Sequence, residues 1–220
     1  MNPSNNVVLL EGQDDLGVLK QFLTREGFAN GAKHRLTDAA GRSLELSVIG
    51  SYSKLPSALS AALQTRPDRI AVVVDANSDP GSRWKSVTDA MVRAGLPRVA
   101  DRPEDGGTIL AMEGQPVVGV WMMPDNGSSG YLEDWMGRVM RAEDQLWPLA
   151  KSAVAGIPDD LRKFKSVATS KANFHTWLAW QEEPSTMAST AIKADYVDLA
   201  HPLARAYVDW LKRWLGTELV

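Results

Sequence analysis

Short apolar runs alternate with segments of helical periodicity along the first half of the chain. Residues 7–10 and 70–74 are continuous apolar runs, whereas 44–49 alternate apolar and polar side chains. Continuous runs are typical of parallel strands buried on both faces, and alternation is typical of a strand with one solvated face. Between them, residues 14–26, 54–63 and 83–94 repeat apolar side chains at helical spacing. The pattern predicts the order βαβαβα.

The pattern changes in the second half. Strand-like segments at 108–112 and 117–123 are separated by a short turn that contains Gly114, which predicts an antiparallel hairpin. A glycine-rich loop follows at 124–130, and helices are predicted at 131–140, 144–155, 170–181 and 202–215. We therefore expect an α/β fold with a mainly parallel sheet flanked by helices, a β-hairpin and a helical C-terminal region. The expected division is a core at 1–130 and a helical extension at 131–220 that packs on it.

Composition narrows the classes of function. The chain has 220 residues, a net charge of −3 and no cysteine, which excludes a disulfide framework, a thiol nucleophile and a cysteine-zinc site. The charge argues against a protein that coats nucleic acid, although a nuclease with local basic contacts remains compatible. No signal sequence or apolar run of membrane-spanning length is found, so we expect a cytoplasmic protein without membrane contact.

Carboxylates follow two of the buried apolar runs. Glu11 comes directly after the first run, and Asp75, Asn77 and Asp79 follow the run at 70–74. Ligands of open α/β sheets lie outside the carboxyl ends of the parallel strands. Side-chain oxygens gathered there match the ligands that a hard divalent cation requires. This predicts a site for Mg²⁺ or Mn²⁺. Asp79 has a second interpretation, as the cap of the next helix.

This arrangement resembles the Toprim domain, which topoisomerases, bacterial primases, recombination-repair proteins and OLD-family nucleases share. The resemblance covers roughly residues 6–125 and implies a parallel α/β sheet. Glu11 matches the family's glutamate, which acts in proton transfer or metal binding, and Asp75 matches its first metal-binding aspartate. Asn77 stands where the family has a second aspartate. The missing charge predicts weaker cation binding, which Asp79 would compensate in part.

The chain also resembles a bacterial family of uncharacterised Toprim-like proteins. That resemblance extends over nearly the whole chain and lies in residues 10–15, 83–84, 119–126, 132–134, 171–172 and 177–181. The chain is similar to OLD-type nucleases in one further respect. Those enzymes use a lysine in the later part of the sequence, and Lys171 matches it by position. The resemblance therefore implies Glu11, Asp75 and Lys171 as catalytic residues.

Several further residues are candidates for the same edge of the sheet. Asp125 ends the second strand of the predicted hairpin, where it would complete the cation site. The acidic pair 133–134 begins a helix, which suits either capping or the cation site. Arg83 and Lys85 begin the helix after the acidic loop, where they would bind phosphate oxygens, with solvated surface charge as the alternative. His175 lies between aromatic residues, which favours a structural role.

The tryptophans suggest an alternative function. Seven of the eight lie in the second half of the chain, and Tyr207, Trp210 and Trp214 share one helix face. If that face is exposed, it predicts a homodimer or a protein partner.

The leading hypothesis is a Mg²⁺-dependent nuclease or related phosphodiester-processing enzyme that acts on nucleic acid. The alternative is a weakly active or inactive Toprim relative that binds a protein or nucleotide, for example in phage defence. A receiver-like phosphoacceptor domain is a third, less favoured interpretation.

Overall fold

The computed structural model describes residues 5–216, in which a seven-stranded sheet separates two layers of helices. The prediction of a cytoplasmic protein rests in part on residues 1–4, which lie outside this range. The strands follow the order β2-β3-β4-β1-β5-β7-β6. Their bounds are β1 Asn5–Leu10, β2 Ala29–Asn30, β3 Arg35–Thr37, β4 Ser43–Val48, β5 Arg69–Asp75, β6 Thr108–Leu110 and β7 Val117–Met123.

The helices fill the connections between strands and the C-terminal third. Their bounds are α1 Gln13–Arg25, α2 Leu55–Gln64, α3 Pro80–Arg93, α4 Leu132–Arg138, α5 Leu146–Ala155, α6 Thr169–Ala179, α7 Ser189–Lys193 and α8 Pro202–Leu215. Within residues 5–216, no helix is both long and apolar enough to cross a membrane.

The centre of the sheet is parallel. Strand β1 pairs in parallel with β4 on one side and β5 on the other, and β5 pairs in parallel with β7. The pairs β2–β3, β3–β4 and β6–β7 at the two edges are antiparallel. The predicted mainly parallel α/β sheet and the predicted hairpin are confirmed. Because β1 and β5 are neighbours with the same direction, their carboxyl ends meet at one edge.

Both faces of the central strands are buried. Along β1, Val8 and Leu10 pack in the cluster beneath α1 and the C-terminal helices, whereas Val7 and Leu9 pack beneath α2 and α3. This two-sided burial explains why β1 and β5 are continuous apolar runs. The first cluster continues past residue 130 without a break, since it includes residues of β1, β7, α4, α6 and α8.

Helix α8 buries its aromatic face against the sheet. Trp210 Nε1 donates to the Thr108 carbonyl and Trp214 Nε1 to the Val117 carbonyl, each at 3.2 Å. A Cβ at Gly119 would lie 2.6 Å from Trp214 Cδ1, so β7 needs glycine where this ring crosses it. Tyr207, Trp210 and Trp214 are at most 2% exposed. The exposed aromatic face that motivated the partner hypothesis is therefore absent from this helix.

Some elements differ from the sequence expectation. The sequence analysis predicted neither the strands β2 and β3 nor the helix α7. These elements are two, three and five residues long, too short to show a hydrophobic period. Helix α4 ends at Arg138 rather than residue 140, because Met140 leaves the helix to form a β-bridge with Val197.

Candidate functional site

Two neighbouring strand ends bring Glu11 and Asp75 together. Glu11 follows β1 directly, and Asp75 is the last residue of β5. The Asp75 amide donates to Glu11 Oε2 at 3.3 Å. This contact joins the Glu11 side chain to the backbone of Asp75, so the two strand ends lie side by side.

The first turn of α1 adds a third carboxylate. Asp15 Oδ2 accepts from the Gly12 amide at 2.8 Å, which caps the helix. A Cβ at position 12 would lie 3.1 Å from that oxygen, so a side chain there would crowd the cap. The other oxygen, Asp15 Oδ1, is buried without a hydrogen-bond partner within the described residues. Asp15 is only 7% exposed.

The start of α4 supplies the fourth carboxylate. Asp75 Oδ1 accepts from the Leu132 amide at 2.9 Å, and Asn77 and Gly130 exchange two backbone hydrogen bonds. These bonds tie the loop after β5 to the loop before α4. Glu133, at 4% exposure, is thereby buried beside Asp75. We call Glu11, Asp15, Asp75 and Glu133 the acidic edge.

The acidic edge has an unusual protonation behaviour. Burial raises the pKa of Asp75 to about 8, and the charges of Asp15, Glu11 and Glu133 act in the same direction. Burial likewise raises the pKa of Asp15 to about 7, against the opposing effect of the Gly12 hydrogen bond. Ion pairs within residues 5–216 reach Glu11 and Glu133 but not Asp15 or Asp75. Burial and the neighbouring carboxylates therefore favour the protonated form of both groups.

Helix α6 faces the acidic edge with Lys171 and His175. Lys171 Nζ lies 2.8 Å from Glu133 Oε1, and His175 Nε2 lies 4.0 Å from the same oxygen. Partial burial lowers the pKa of Lys171, but its bond to Glu133 outweighs this and the pKa is raised overall. Asp14, Glu133 and His175 also present ligand atoms that all lie within 4.8 Å of one another. That donor set suits a divalent cation.

Arg83 lies on the opposite side of Glu11. Its Nη2 is 3.8 Å from Glu11 Oε1, and its guanidinium stacks 4.1 Å from the centre of the Tyr52 ring. The Asn77 side-chain amide is oriented so that both its oxygen and its nitrogen face suitable hydrogen-bond partners. In this orientation the amide oxygen accepts from Arg83 Nε at 3.2 Å and from Arg83 Nη2. The Asn77 oxygen, predicted as a cation ligand, is thus turned to Arg83.

The other predicted site residues make different contacts. Asp79 caps α3, where its two oxygens accept from the Ser82 amide and hydroxyl. Asp125 accepts from the backbone of 127 and 128 and pairs with Arg138. Lys85 pairs with Asp89 on the exposed side of α3 at 2.7 Å. These contacts correct the predicted set: Asp79 and Asp125 are engaged as loop and helix caps, and Lys85 in a surface pair.

Asp15 and His175 were not assigned to the site from sequence, and for Glu133 both capping and the cation site were left open. Asp15 and Glu133 lie in the first turns of helices, where acids are most often caps. Asp134 does act as a cap, accepting from the Tyr131 amide at 2.9 Å, while its neighbour Glu133 joins the acidic edge. For Asp15 a signal existed, because it lies one helical turn after Glu11.

Comparison with known proteins identifies a family. The chain matches the family "Protein of unknown function (DUF3226)" over residues 5–216, and it belongs to that family. No curated protein and no solved structure matches it.

Proposed function

We propose that this protein is a divalent-cation-dependent phosphodiester-processing enzyme, most simply a nuclease, with a Toprim-like acidic site. The observation that carries the proposal is a pair of neighbouring carboxyls, the buried Asp15 and the half-buried Asp75, that have no cationic side chain as partner in the described chain. Buried charges are normally paired with an opposite charge or coordinate a metal. Oxygen ligands are the ones that Mg²⁺ and Mn²⁺ prefer.

Carboxylate oxygens are the ligands that such a cation takes, so Asp75 and Glu11 would hold it, and Asp15 and Glu133 would add negative charge. A ligand atom of Glu133 also lies within 4.8 Å of ligand atoms of Asp14 and His175. A bound Mg²⁺ or Mn²⁺ would polarise a phosphodiester and lower the pKa of attacking water. The placement of Glu11 and Asp75 at the ends of adjacent parallel strands supports the proposed Toprim-like relationship.

Side chains around the cation would have separate roles in the reaction. Glu11, whose side chain is 21% exposed, lies at the rim of the acidic edge, where the carboxylate oxygen that does not bind the cation would accept a proton from the attacking water. Lys171, held by Glu133, presents a positive charge to the charge that develops on the phosphate. Asp15 is only 7% exposed and its charge acts on Asp75, so it adds to the negative potential of the site.

A cleavage assay tests this function. Purified protein is incubated with single-stranded DNA, double-stranded DNA and RNA, with Mg²⁺, Mn²⁺ or EDTA. We expect cleavage of at least one substrate with a cation, none with EDTA, and a loss of at least 100-fold for Asp75→Asn. The matched control is Asp101→Asn, the same chemical change at an exposed carboxylate. An unchanged rate for Asp75→Asn would contradict the proposal.

A second candidate function follows from the basic residues around the site. Arg83 pairs with Glu11, Lys171 pairs with Glu133, and Asn77 lacks the charge of an aspartate. These features reduce the net negative charge that a catalytic cation needs. They favour a nucleotide-binding module that binds a cation without turnover. Cation-dependent nucleotide binding without any cleavage is the outcome expected from it.

A further inference from the structure

A polar cavity adjoins the acidic edge on the side of α3. Its volume is about 350 Å³, and it opens to solvent at the N-terminus of that helix. Hydrogen-bonding side chains dominate its lining, which includes Tyr52, Asn77, Ser78, Ser82, Arg83 and Ser86. Its dimensions correspond to the lower end of small-ligand sites.

Arg83 is the charged group of this cavity, and it is held in place from three directions. The ring of Tyr52 stacks on it, the Asn77 amide oxygen accepts from its Nε, and Glu11 lies 3.8 Å from its Nη2. The side chain is 8% exposed. Its Nη1 has no hydrogen-bond partner among residues 5–216, so two N–H donors remain available. A guanidinium positioned in advance loses little entropy when it binds an anion.

The surroundings favour an anion with several acceptor oxygens. The Ser78 hydroxyl lines the cavity as a further donor, and the N-terminus of the 14-residue α3 adds positive potential. Asp79 also lines the cavity, but both of its oxygens already accept from Ser82. A tetrahedral phosphate matches this set of donors, because guanidinium groups bind its oxygens through paired N–H groups.

We propose that this cavity is a phosphate subsite, in which Arg83 binds a phosphate group of the same substrate that the acidic edge processes. The inference rests on the proposed function and adds the substrate class to it: a nucleic-acid strand with a second phosphate beside the reacting one. The 3.8 Å separation of Arg83 from Glu11 puts the subsite directly next to the acidic edge. Arg83 is a binding residue in this account.

A titration with inorganic phosphate in EDTA tests the subsite without any cation. Backbone amide signals of the full chain are followed by NMR. We expect signals of Asn77, Ser82 and Ser86 to shift on saturation, and the affinity to fall at least tenfold in Arg83→Gln. The matched control is Arg98→Gln, which removes an exposed arginine and should bind as the wild type does.

A second variant keeps the test decisive if Arg83→Gln does not fold. Ser82 is exposed at the third position of α3, where glutamate is favoured by the helix terminus. Ser82→Glu therefore keeps the fold and Arg83 while adding a negative charge at the mouth of the cavity. Phosphate affinity should fall at least fivefold. Equal affinity in wild type and Ser82→Glu, or signal shifts confined to other surfaces, would overturn the proposal.

A single-stranded oligonucleotide distinguishes a phosphodiester from a terminal phosphate. Binding is measured against salt concentration in the Asp75→Asn background, so that a failure of cation binding does not affect it. Each phosphate contact contributes about 0.7 to the slope of log K against log salt for single strands, and Arg83→Gln should lower the slope by about that amount. An unchanged slope would overturn the assignment to a nucleic-acid strand and leave a phosphate monoester as the ligand.

Discussion

The acidic edge and the aromatic cluster around α8 are both buried, but they affect stability in opposite directions. The aromatic cluster consists of Phe22, Trp121, Trp135, Tyr207 and Trp210. Its rings pack with centres about 5–6 Å apart, for example 5.1 Å between Trp121 and Tyr207. Such packing stabilises the fold through burial and ring contacts. The acidic edge instead gathers like charges, of which Asp15 and Glu133 are buried and Glu11 and Asp75 are half-buried.

The two regions meet along α1, which contributes Asp15 to the acidic edge and Phe22 to the aromatic cluster. Burial, followed by the charge of Asp15, raises the pKa of Tyr207. Burial without a partner costs stability, which indicates that the acidic edge is retained for binding rather than for folding.

The largest expected effect comes from the aromatic cluster. Trp210→Ala removes a fully buried ring and its bond to the Thr108 carbonyl. We expect the free energy of unfolding to fall by roughly 3–5 kcal/mol in urea denaturation. Trp180→Ala, at a ring that is 44% exposed, is the control, with an expected change below about 1 kcal/mol. Similar losses in the two variants would show that α8 does not anchor the core.

The acidic edge, unlike the aromatic cluster, should lower the free energy of unfolding, and the size of this cost should depend on pH. The pKa values of Asp15 and Asp75 are raised in the folded protein to about 7 and about 8, so the folded state binds more protons than the unfolded chain. Stability is then highest below the ordinary carboxyl pKa and is lost as the pH rises through these values. The slope is at most about 1.4 kcal/mol per pH unit for each group.

Urea denaturation without divalent cations, between pH 5 and 9, measures this dependence. In that interval the carboxyls with lowered pKa, Asp38, Asp79, Asp89 and Asp125, remain ionised and contribute no slope. A flat profile would argue against buried protons at the acidic edge.

Asp75→Asn should stabilise the protein, whereas Trp210→Ala should destabilise it. The amide keeps an oxygen for the Leu132 amide but cannot ionise. At pH 9 and without cations we expect the free energy of unfolding to rise by about 2 kcal/mol. Each unit of raised pKa corresponds to about 1.4 kcal/mol, and local relaxation around Asp75 relieves part of this cost in the wild type. Asp101→Asn is the matched control and should change little. Destabilisation by Asp75→Asn would mean that Asp75 is structural.

The smallest predicted effect concerns Lys171. Its ammonium competes with a cation for Glu133, and its side chain is 57% exposed, which screens the pair. Lys171→Gln should therefore raise Mn²⁺ affinity only about threefold, while the cleavage rate falls by at least tenfold. Lys165→Gln, which alters an exposed lysine before α6, serves as the control. Equal changes in affinity and rate for the two variants would remove Lys171 from the proposed site.

The parallel core could be predicted from the sequence because β1 and β5 are buried on both faces and therefore consist of continuous apolar runs. The sequence also predicted the bounds of α8 because one face of that helix is fully apolar. The short strands β2 and β3 carry no such pattern, since both residues of β2 are exposed. Glu11 and Asp75 were predicted as site residues because they lie at the ends of buried strands. Lys171 was predicted from the resemblance to OLD-type nucleases, which stays a prediction.

The remaining site residues depend on tertiary contacts that sequence does not encode locally. Asp75, Asp79 and Asp125 all follow or end a strand, yet only Asp75 is surrounded by other acids. Glu133 and Asp134 are adjacent on α4, but one joins the acidic edge and the other caps the helix. What separates them is burial, which is set by the docking of α4 and α6 beside β5.

Titration calorimetry with Mn²⁺ at pH 7 tests the central claim most directly, when it is repeated in two buffers of different ionisation enthalpy. If a cation displaces the protons of Asp15 and Asp75, binding should release protons, because ligands must be deprotonated. The account predicts binding with proton release in wild type and Asp101→Asn, and its loss in Asp75→Asn. Equal binding in wild type and Asp75→Asn, or no binding in any variant, would contradict it.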